Sequence, residues 1–380
     1  MAVEIIFWLS LLGIIYAYFG YPVALAIWAH LKAMPVNRAV DNFYPEISII
    51  IPAYNEEAVI EKKIENTLSL AYPKDKMELI VVSDGSSDDT NKIVGALAGK
   101  YGFNFIEVNK RQGKANAVNA GLSAATADII IFSDSSIMLD SKALEEIVKG
   151  FFDKKVGLIS GEDHIPDDNG GEGLYGQYEL FLRNQESKTG SIVGASGSFY
   201  AQRKDLCLPF MEGLAPDFLS VLNTVEKGYR AITEPRAFGI MSALKSTKDE
   251  FHRKTRTLIR GMTTLWYKRK LMNPVKYKGF AFVLISHKLM RWLVPFFMLF
   301  VFVANIFLLH SLFYLTIFII QIIFYAAAVF AWKEIINMNE KIYGKIPLYF
   351  CSVNYAIFYS WFKYILGARQ EIWEPTKRGS

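Results

Sequence analysis

Three acidic segments follow short apolar runs in the first half of the chain. The letters PAYNEE begin at Pro52, DGSSD begins at Asp84, and Asp134 opens a third polar segment, DSS. Carboxylates that lie close together repel one another unless a cation or hydrogen-bond donors lie among them. If the three segments meet, they suit a divalent metal ion that holds a nucleoside diphosphate, because hard oxygen ligands are those that Mg²⁺ and Mn²⁺ prefer.

The elements that would bring these segments together alternate between strand and helix. Alternation of this kind is typical of a parallel sheet covered by helices, in which ligands bind at the carboxyl ends of the strands. We therefore predict an α/β, Rossmann-like fold with the acidic segments at one edge. The predicted strands and helices are, in order, Ile47–Ile51, Glu57–Ser69, Leu79–Ser83, Asp88–Ala98, Phe103–Val108, Gly113–Ala124 and Ile129–Ser133.

After Asp140 the alternation weakens, and the pattern predicts only scattered elements. A Gly- and Asp-rich loop covers Asp163–Gly173. Within the next helix, Glu179, Arg183 and Glu186 share one face, and we interpret them as a salt-bridged surface. The elements predicted here are a helix at Tyr175–Ser187, a strand at Phe199–Gln202, a helix at Asp217–Lys227 and a strand at Ala231–Glu234.

Long uncharged segments flank this region. Hydrophobic residues make up 52% of the 380-residue chain, and stretches such as Ile5–Leu31 and Trp292–Trp332 carry no Asp, Glu, Lys or Arg. About 20 apolar helical residues cross a ~30 Å hydrocarbon core. We predict four spans, near Ile5–Trp28, Leu293–His310, Leu312–Ala331 and Leu348–Leu366.

The distribution of basic residues predicts the topology. Lys32 and Arg38 follow the first span, and Lys245–Arg291 is dense in Lys and Arg, so the positive-inside rule places the middle region in the cytoplasm. We expect a multi-pass protein of the plasma membrane. Four spans would leave the basic tail outside, although Arg369 and Lys377 favour a cytoplasmic tail by the same rule.

These patterns divide the chain into five segments. The two cysteines, Cys207 and Cys351, form no disulfide or zinc pattern. The basic residues near Arg253–Lys278 are interleaved with aromatic ones, which is typical of helices facing anionic lipid headgroups or a phosphate, and not of a nucleic-acid site. The predicted segments are a transmembrane helix at 1–31, a cytoplasmic α/β domain at 32–244, interfacial amphipathic helices at 245–289, transmembrane helices at 290–367 and a tail at 368–380.

Five motifs, taken in order, resemble those of membrane-embedded family 2 glycosyltransferases of the inverting, GT-A type. This group includes the polysaccharide synthases of cellulose, chitin and hyaluronan. The similarity runs from about Glu46 to Gly261. It implies a GT-A domain that uses a UDP-sugar and Mg²⁺ or Mn²⁺. The motifs are PAYNEE, SDGSSD, RQGKANAVNAG, FSDSSIML, and PDF followed by EKGYRAITEP.

The resemblance also implies a role for each matching residue. Asp217 in PDF matches the general base that takes the proton from the acceptor hydroxyl, and Asp134 matches a metal and diphosphate ligand. Asp84 matches a residue that accepts from the uracil edge. On the acceptor side, Gly194 and Gly197 match a loop of small residues. The implied donor-binding residues are Pro52, Tyr54, Glu56, Asp84, Lys114, Asp134, Ser136, Arg256 and Arg260.

Two departures from the family pattern bear on activity. The second aspartate of Asp-x-Asp is replaced by Ser136, which removes one anionic ligand. The Gln-x-x-Arg-Trp of processive synthases is also missing, because Lys254, Thr257 and Leu258 stand at the Gln, Arg and Trp positions. Trp266 is a substitute acceptor platform or a membrane-interface anchor, and both roles remain open.

The expected function is transfer of a sugar from a UDP-sugar to a membrane-associated acceptor, lipid-linked or polysaccharide. One alternative is a processive polysaccharide synthase that also extrudes its polymer. Another is a nucleotide-binding membrane protein without catalytic activity. Of the other carboxylates near Asp217, we interpret Glu212 as a solvated surface charge.

Overall fold

The computed structural model describes residues 1–40, 42–165, 171–241, 247–335 and 341–369. The chain divides into two compact units. The first comprises Met1–Leu31, Asp168–Leu182 and Met272–Ala368, and the second comprises Lys32–Asp167, Arg183–Leu271 and Arg369–Ser380. The predicted tail from residue 370 onwards, residues 166–170 of the predicted Gly- and Asp-rich loop and residues 242–246 lie outside the described residues.

The helices occupy both units. They are α1 (Ala2–Ile15), α2 (Tyr21–Leu31), α3 (Ile60–Ser69), α4 (Thr90–Tyr101), α5 (Lys114–Ala124), α6 (Ala143–Lys149), α7 (Gly171–Thr189), α8 (Pro216–Glu226), α9 (Thr247–Tyr267), α10 (Pro274–Leu284), α11 (Arg291–Ile306), α12 (Leu312–Trp332) and α13 (Ile342–Ile365). Short π-helical turns at Tyr16–Gly20 and Ile285–Met290 connect α1 to α2 and α10 to α11.

The second unit is built on a sheet of eight strands in the spatial order β3-β2-β1-β4-β7-β6-β8-β5. The strands are β1 (Ile47–Ala53), β2 (Met77–Asp84), β3 (Asn104–Val108), β4 (Ile129–Ser133), β5 (Ile137–Leu139), β6 (Val156–His164), β7 (Phe199–Arg203) and β8 (Arg230–Met241). The predicted α/β fold is therefore confirmed.

The sheet is parallel throughout only in the half formed by β1 to β4. Strands β1 to β4 pair in parallel, as the sequence predicts. Beyond them the sheet is mixed, because β7 pairs antiparallel with both β4 and β6, β5 pairs antiparallel with β8, and β6 pairs in parallel with β8. Strands β5 and β6 and helix α6 were also not predicted.

Both faces of the parallel half are buried. Ile49 and Ile51 of β1 pack with Ile64 of α3 on one face, while Ile50 packs with Val118 of α5 on the other. A strand covered on both sides reads as a continuous apolar run. Polar side chains are consequently concentrated at the strand ends, which is where the acidic segments lie.

The first unit contains three helical runs long and apolar enough to cross a membrane, Ala2–Leu31, Pro274–Ile306 and Leu312–Trp332, counted among the described residues. The predicted fourth span lies on α13, which is not among the three. The predicted boundary at residue 290 falls inside a continuous helical run, since α10 passes through a π-helical turn into α11. Within α10 the helix is interrupted at Lys278, which has a φ of 47° and a ψ of −122°, and the predicted interfacial character of residues 245–289 stays a prediction.

A charged cluster also lies in the first unit, and we call it the Arg291 cluster. Arg291 is 6% exposed and contacts the carboxylate of Glu179, while His287 Nε2 lies 3.1 Å from Glu179 Oε2. Tyr175 and Tyr178 place their rings 5.1 and 5.4 Å from the Arg291 guanidinium. The cluster therefore consists of paired charges enclosed by aromatic rings.

The predicted salt-bridged surface on α7 is wrong. Glu179 belongs to the Arg291 cluster, and Glu186 is fully buried and accepts a hydrogen bond from the Val193 backbone at 3.1 Å. In the second unit, Arg183 donates to Ser160 Oγ at 3.3 Å. The helical spacing is right, but tertiary packing covers both carboxylates.

Candidate active site

The first two acidic segments are joined by Asn55. Its backbone adopts a left-handed conformation with φ of 52°, which turns the chain sharply after β1. Its N–H donates to Ser86 Oγ at 3.1 Å, and its Oδ1 accepts from the Ser87 N–H at 2.8 Å. The loops that follow β1 and β2 therefore form one rim at the sheet edge, as their positions after parallel strands predict. Pro52 lies within β1 immediately before this rim.

Asp84, at the end of β2, is buried, and its carboxylate forms hydrogen bonds with the backbone of the loop after β3. Its two carboxylate oxygens accept from the N–H groups of Gln112 at 2.8 Å and Gly113 at 2.7 Å. Gly85 has a φ of 65°, and a Cβ there would lie 2.4 Å from the backbone nitrogen of Arg111. The close approach of the two loops thus requires glycine after Asp84.

This arrangement positions Arg111, for which the sequence analysis predicts no separate role. Its guanidinium carbon lies 4.1 Å from the centroid of the Tyr54 ring. Stacking of this kind is favourable because the ring face is negative. The pair presents a flat cationic and aromatic surface beside Asp84.

Asp134 lies opposite the start of α5. Lys114, the first residue of that helix, places its Nζ 2.5 Å from Asp134 Oδ1. The backbone N–H of Asp134 donates to the Ser198 carbonyl oxygen at 2.9 Å. The Asp134 side chain remains 24% exposed, so the ion pair is accessible to a ligand.

Glu56 is a second carboxylate close to Asp134. Burial raises the pKa of Glu56 to about 6, and the negative charge of Asp134 adds to the increase, while a hydrogen bond from Ser135 opposes it. The shift means that negative charge is only partly compensated at this rim. A divalent cation would relieve it.

The oxygen donors present fit Mg²⁺ or Mn²⁺ bound together with a phosphate ligand. Asp134 has a second carboxylate oxygen beside the one that Lys114 contacts, and Ser136 follows two residues later. The described part of the chain holds no group of three or more His, Cys, Asp or Glu that could hold a metal ion by itself. Mg²⁺ commonly binds through one or two carboxylates and completes its shell with water and substrate phosphates.

Lys63 is a site residue that the sequence analysis missed. It lies on α3, is fully buried, and donates to Ser133 Oγ at 2.8 Å and to the Ile137 carbonyl oxygen at 2.7 Å. Burial lowers its pKa to about 7, and the charge of Asp134 opposes that shift. A signal existed, because Lys63 belongs to the buried stripe of α3 with Ile60 and Ile64.

Asp217 lies in the first turn of α8, near the loop of small residues. A Cβ built on Gly197 would lie 3.9 Å from Asp217 Cγ, and Gly197 is exposed. Ser196 in the same loop donates to Asp163 Oδ1 at 2.6 Å. The loop, which also contains the half-buried Gly194, therefore has its backbone exposed directly beside the predicted base.

Asp134 and Asp217 both lie next to the loop of small residues: the Asp134 N–H donates to the Ser198 carbonyl oxygen at 2.9 Å, and a Cβ on Gly197 would lie 3.9 Å from Asp217 Cγ. Burial raises the pKa of Tyr200, and the negative charges of both Asp217 and Asp134 add to the increase. Tyr200 is on β7, which pairs with β4. The two predicted functional carboxylates therefore occupy the same region of the second unit.

Arg260 supplies positive charge beside Asp217. It is 5% exposed, its Nε donates to the Leu214 carbonyl oxygen at 3.0 Å, and its Nη2 has no hydrogen-bond partner among the described residues. Burial lowers the pKa of Arg260, while the charges of Glu212 and Asp217 oppose that shift. A buried guanidinium nitrogen without a hydrogen-bond partner among the described residues is suited to an incoming anion.

The interpretation of Glu212 as a solvated charge is wrong. Burial raises its pKa, while Arg260 and the backbone N–H groups of Ala115 and Asn116 oppose that shift. Gly113 has a φ of 96°, which favours glycine, and a Cβ there would lie 2.6 Å from Glu212 Oε1. Glu212 thus covers the N-terminus of α5, where an anion is favoured.

The last two predicted residues lie elsewhere on α9. Arg256 is half-buried one turn before Arg260. Trp266 is 62% exposed, and its described partner is Arg269, whose guanidinium lies 5.2 Å from the indole ring. The described contacts of Trp266 do not include Asp217 or the loop of small residues.

The sheet topology is that of a GT-A fold. The same fold is seen in a mannosyltransferase from Pyrobaculum calidifontis, solved in complex with GDP-Man and Mn²⁺. The two match with a TM-score of 0.73 over 96% of this chain and 99% of that one, at 22% identity. A likeness at this identity establishes the fold.

The family follows from the sequence match. A model described as Glycosyl transferase family 2 matches residues 48–208, so the chain contains a family 2 glycosyltransferase domain. The chain is 36% identical over 126 residues to the probable glycosyltransferase YdaM of Bacillus subtilis, covering 32% of this chain and 30% of that protein. It is 26% identical over 242 residues to the poly-β-1,6-N-acetyl-D-glucosamine synthase of Staphylococcus aureus, covering 61% and 56%. The match thus spans 30% of the first relative and 56% of the second.

Proposed function

We propose that this chain is an inverting glycosyltransferase that transfers a sugar from a UDP-sugar to an acceptor at the membrane, in polysaccharide or glycolipid biosynthesis. The observation that carries the proposal is that Asp134 and Asp217 both lie next to the loop of small residues, since the Asp134 N–H donates to the Ser198 carbonyl oxygen at 2.9 Å and a Cβ on Gly197 would lie 3.9 Å from Asp217 Cγ. One of these carboxylates is paired with Lys114, and the other lies beside a buried arginine with a free Nη2. A diphosphate leaving group needs positive charge, and a hydroxyl nucleophile needs a carboxylate that can act as a base.

The nucleotide is proposed to bind along the rim of β1 and β2. Tyr54 and Arg111 form the flat surface on which a base would stack. Asp84 holds two backbone N–H groups, and a carboxylate has about four acceptor positions, so it can still accept from uracil. Glu56 is proposed to contact the ribose.

Asp217 is proposed as the general base. Its carboxylate takes the proton from the acceptor hydroxyl as the oxygen attacks the anomeric carbon, and a positioned base of this kind contributes about 10²–10⁴-fold. Attack opposite the departing diphosphate inverts the configuration. Arg260 and Lys114 stabilise the charge that develops on the leaving group, because fixed cations in a partly buried site are strong electrostatic partners.

Asp134 and Ser136 are proposed to hold Mg²⁺ or Mn²⁺ together with the donor diphosphate. When bound, such an ion supplies positive charge for the leaving group. The Pyrobaculum mannosyltransferase was solved with Mn²⁺, which supports this cofactor class. Replacement of the second aspartate by serine predicts a weaker metal site than that of a two-carboxylate motif.

A second candidate is a processive polysaccharide synthase that extrudes its product. The similarity to the staphylococcal poly-β-1,6-N-acetyl-D-glucosamine synthase favours it. The residues at the Gln-x-x-Arg-Trp positions, Lys254, Thr257 and Leu258, favour a single addition to a lipid-linked acceptor. The three long apolar helices are compatible with both.

Protein purified in nanodiscs should be tested against radiolabelled UDP-glucose, UDP-galactose, UDP-N-acetylglucosamine and GDP-mannose, with a membrane lipid extract as the acceptor source. We expect one UDP-sugar to be consumed in a Mn²⁺- or Mg²⁺-dependent manner. A single shifted lipid product would indicate one addition, whereas a ladder would indicate the processive enzyme. Consumption of GDP-mannose alone would overturn the proposed donor class.

We also propose that the α/β unit lies on the cytoplasmic side of the plasma membrane. Reporter fusions after residues 40 and 335 would test this orientation. Protection of the α/β unit from protease in sealed right-side-out vesicles is the expected result. Cleavage in those vesicles would place the unit on the opposite side.

A further inference from the structure

The loop that carries the proposed metal and diphosphate ligands is only three residues long. It runs from Asp134 to Ser136, between Ser133 at the end of β4 and Ile137 at the start of β5. In so short a loop, the separation of the two strand ends determines the direction of the ligand oxygens. Any group that fixes those ends therefore fixes the site.

Lys63, on α3, connects the end of β4 to the start of β5. Its ammonium donates to Ser133 Oγ at 2.8 Å on one side and to the Ile137 carbonyl oxygen at 2.7 Å on the other. The side chain is fully buried, so these contacts are shielded from water. One cation thereby bridges the residues immediately before and after the loop.

Packing alone does not explain a lysine at this position. Ile60 and Ile64 on either side of Lys63 are fully buried and contribute to the core of the sheet. Burial of an ammonium group costs several kcal/mol unless it is paired and hydrogen-bonded. An apolar residue would continue the stripe at lower cost, so the charge must serve the loop.

We propose that Lys63 is a positioning residue that holds the Asp134–Ser136 loop in the geometry that receives a metal-bound nucleoside diphosphate. The inference rests on the proposed function. Lys63 acts through the loop without touching the donor. Its charge is also compatible with the ligand, because a complex of Mn²⁺ with UDP is a net anion.

The test compares Lys63→Met with Gln202→Met. Lys63→Met keeps the length of the side chain and removes the donor. Gln202 is a matched control, since it is also fully buried and its Nε2 donates to the Leu206 carbonyl oxygen and to Thr224 Oγ1. Thermal unfolding and titration calorimetry with UDP and Mn²⁺ are measured for both variants and for the wild type.

We expect both variants to lose thermal stability, while only Lys63→Met loses affinity for UDP with Mn²⁺, by about tenfold or more, as for loss of a hydrogen bond to a charged group. Ser133→Ala removes one of the two contacts and should cause a smaller loss. It should add nothing in the Lys63→Met background, because coupled contacts are not additive.

Each contrary result has a distinct meaning. Affinity within twofold of the wild type in Lys63→Met would overturn the inference while leaving the proposed function intact. Equal losses of affinity in both variants would show that Lys63 serves only general stability, and would also overturn it. Failure of the wild type to bind any nucleoside diphosphate with Mn²⁺ would overturn the proposed function and the inference together.

Discussion

The Arg291 cluster and the Asp134 site both pair carboxylates with basic side chains, and the pKa of the glutamate in each is shifted in opposite directions. In the Arg291 cluster, burial alone would raise the pKa of Glu179, but Arg291 and His287 hold it well below the usual range. In the Asp134 site, burial and Asp134 instead raise the pKa of Glu56 to about 6. In the Arg291 cluster two basic side chains outweigh the effect of burial on Glu179, whereas in the Asp134 site Lys114 offsets the effect of burial on Glu56 only in part.

The difference indicates which cluster serves structure and which awaits a ligand. A buried pair with its partners in place stabilises one packing arrangement and leaves little attraction for an outside charge. Uncompensated charges in a cleft are typical of functional sites. Substitutions in the Asp134 site should therefore change activity more than stability, and those in the Arg291 cluster should do the reverse.

The largest effect is expected at Asp217. Asp217→Asn removes the proposed base and should lower turnover by about 10³-fold, within the range of general base catalysis, with UDP affinity retained. Glu226→Gln is the control, because Glu226 is a carboxylate on the same helix that pairs with Lys268. Initial rates and calorimetric UDP binding are measured side by side. Unchanged turnover in Asp217→Asn would favour the non-catalytic alternative.

The next effect concerns the Arg291 cluster. Glu179→Gln leaves the 6%-exposed Arg291 without its anionic partner and should destabilise the protein by about 3 kcal/mol. The apparent Tm in one fixed detergent, followed by intrinsic fluorescence, measures the change. The double variant Glu179→Gln/Arg291→Met should recover part of the loss. A stable single variant with impaired UDP binding would contradict the comparison.

A smaller effect on turnover is expected at Arg260. Arg260→Met removes a buried cation whose charge acts on Glu212 and Asp217. It should lower kcat about 30-fold, with a smaller change in the KM of the donor. Arg256→Met, one turn earlier and half-buried, should cost less. Steady-state kinetics with the identified donor would rank the two. A greater loss at Arg256 would assign the diphosphate contact to it instead.

The smallest effect is a pH-dependent gain in stability at Glu56. A folded pKa of about 6 against an ordinary value of 4.5 means that the favourable contribution of Glu56 is present below pH 4.5 and lost as the pH rises through 6. Glu56→Gln should therefore stabilise the ligand-free protein at pH 7.5 by on the order of 1 kcal/mol. At pH 4.5 the gain should vanish. An equal gain at both values would show that charge is not the cause.

The parallel half of the sheet could be predicted because its strands are continuous apolar runs ended by polar turns. Strand β6 was missed because two glycines interrupt its pattern. A Cβ at Gly157 would lie 2.4 Å from Leu206 Cδ1, and one at Gly161 would lie 2.3 Å from Phe199 Cδ1. Close packing against residues distant in sequence requires these glycines. The local sequence pattern does not reveal that packing.

The residues of the candidate site were likewise predictable only in part. Motif residues such as Asp84 and Asp134 were located because each follows a strand. Glu212 was misjudged because its burial depends on a loop returning to α5 from about a hundred residues away. Lys63 resembles any helical lysine until its position among Ile60 and Ile64 is noted.

Asp84 contacts main-chain atoms of the neighbouring loop, and this suggests a way to redesign the donor preference. Because its carboxylate accepts from the backbone N–H groups of Gln112 and Gly113, the anchoring of that loop by Asp84 does not use the side chains at 111 and 112. Libraries randomised at those two positions should therefore retain a folded rim while varying the surface offered to the base. Selection for purine over pyrimidine donors has a natural starting point there.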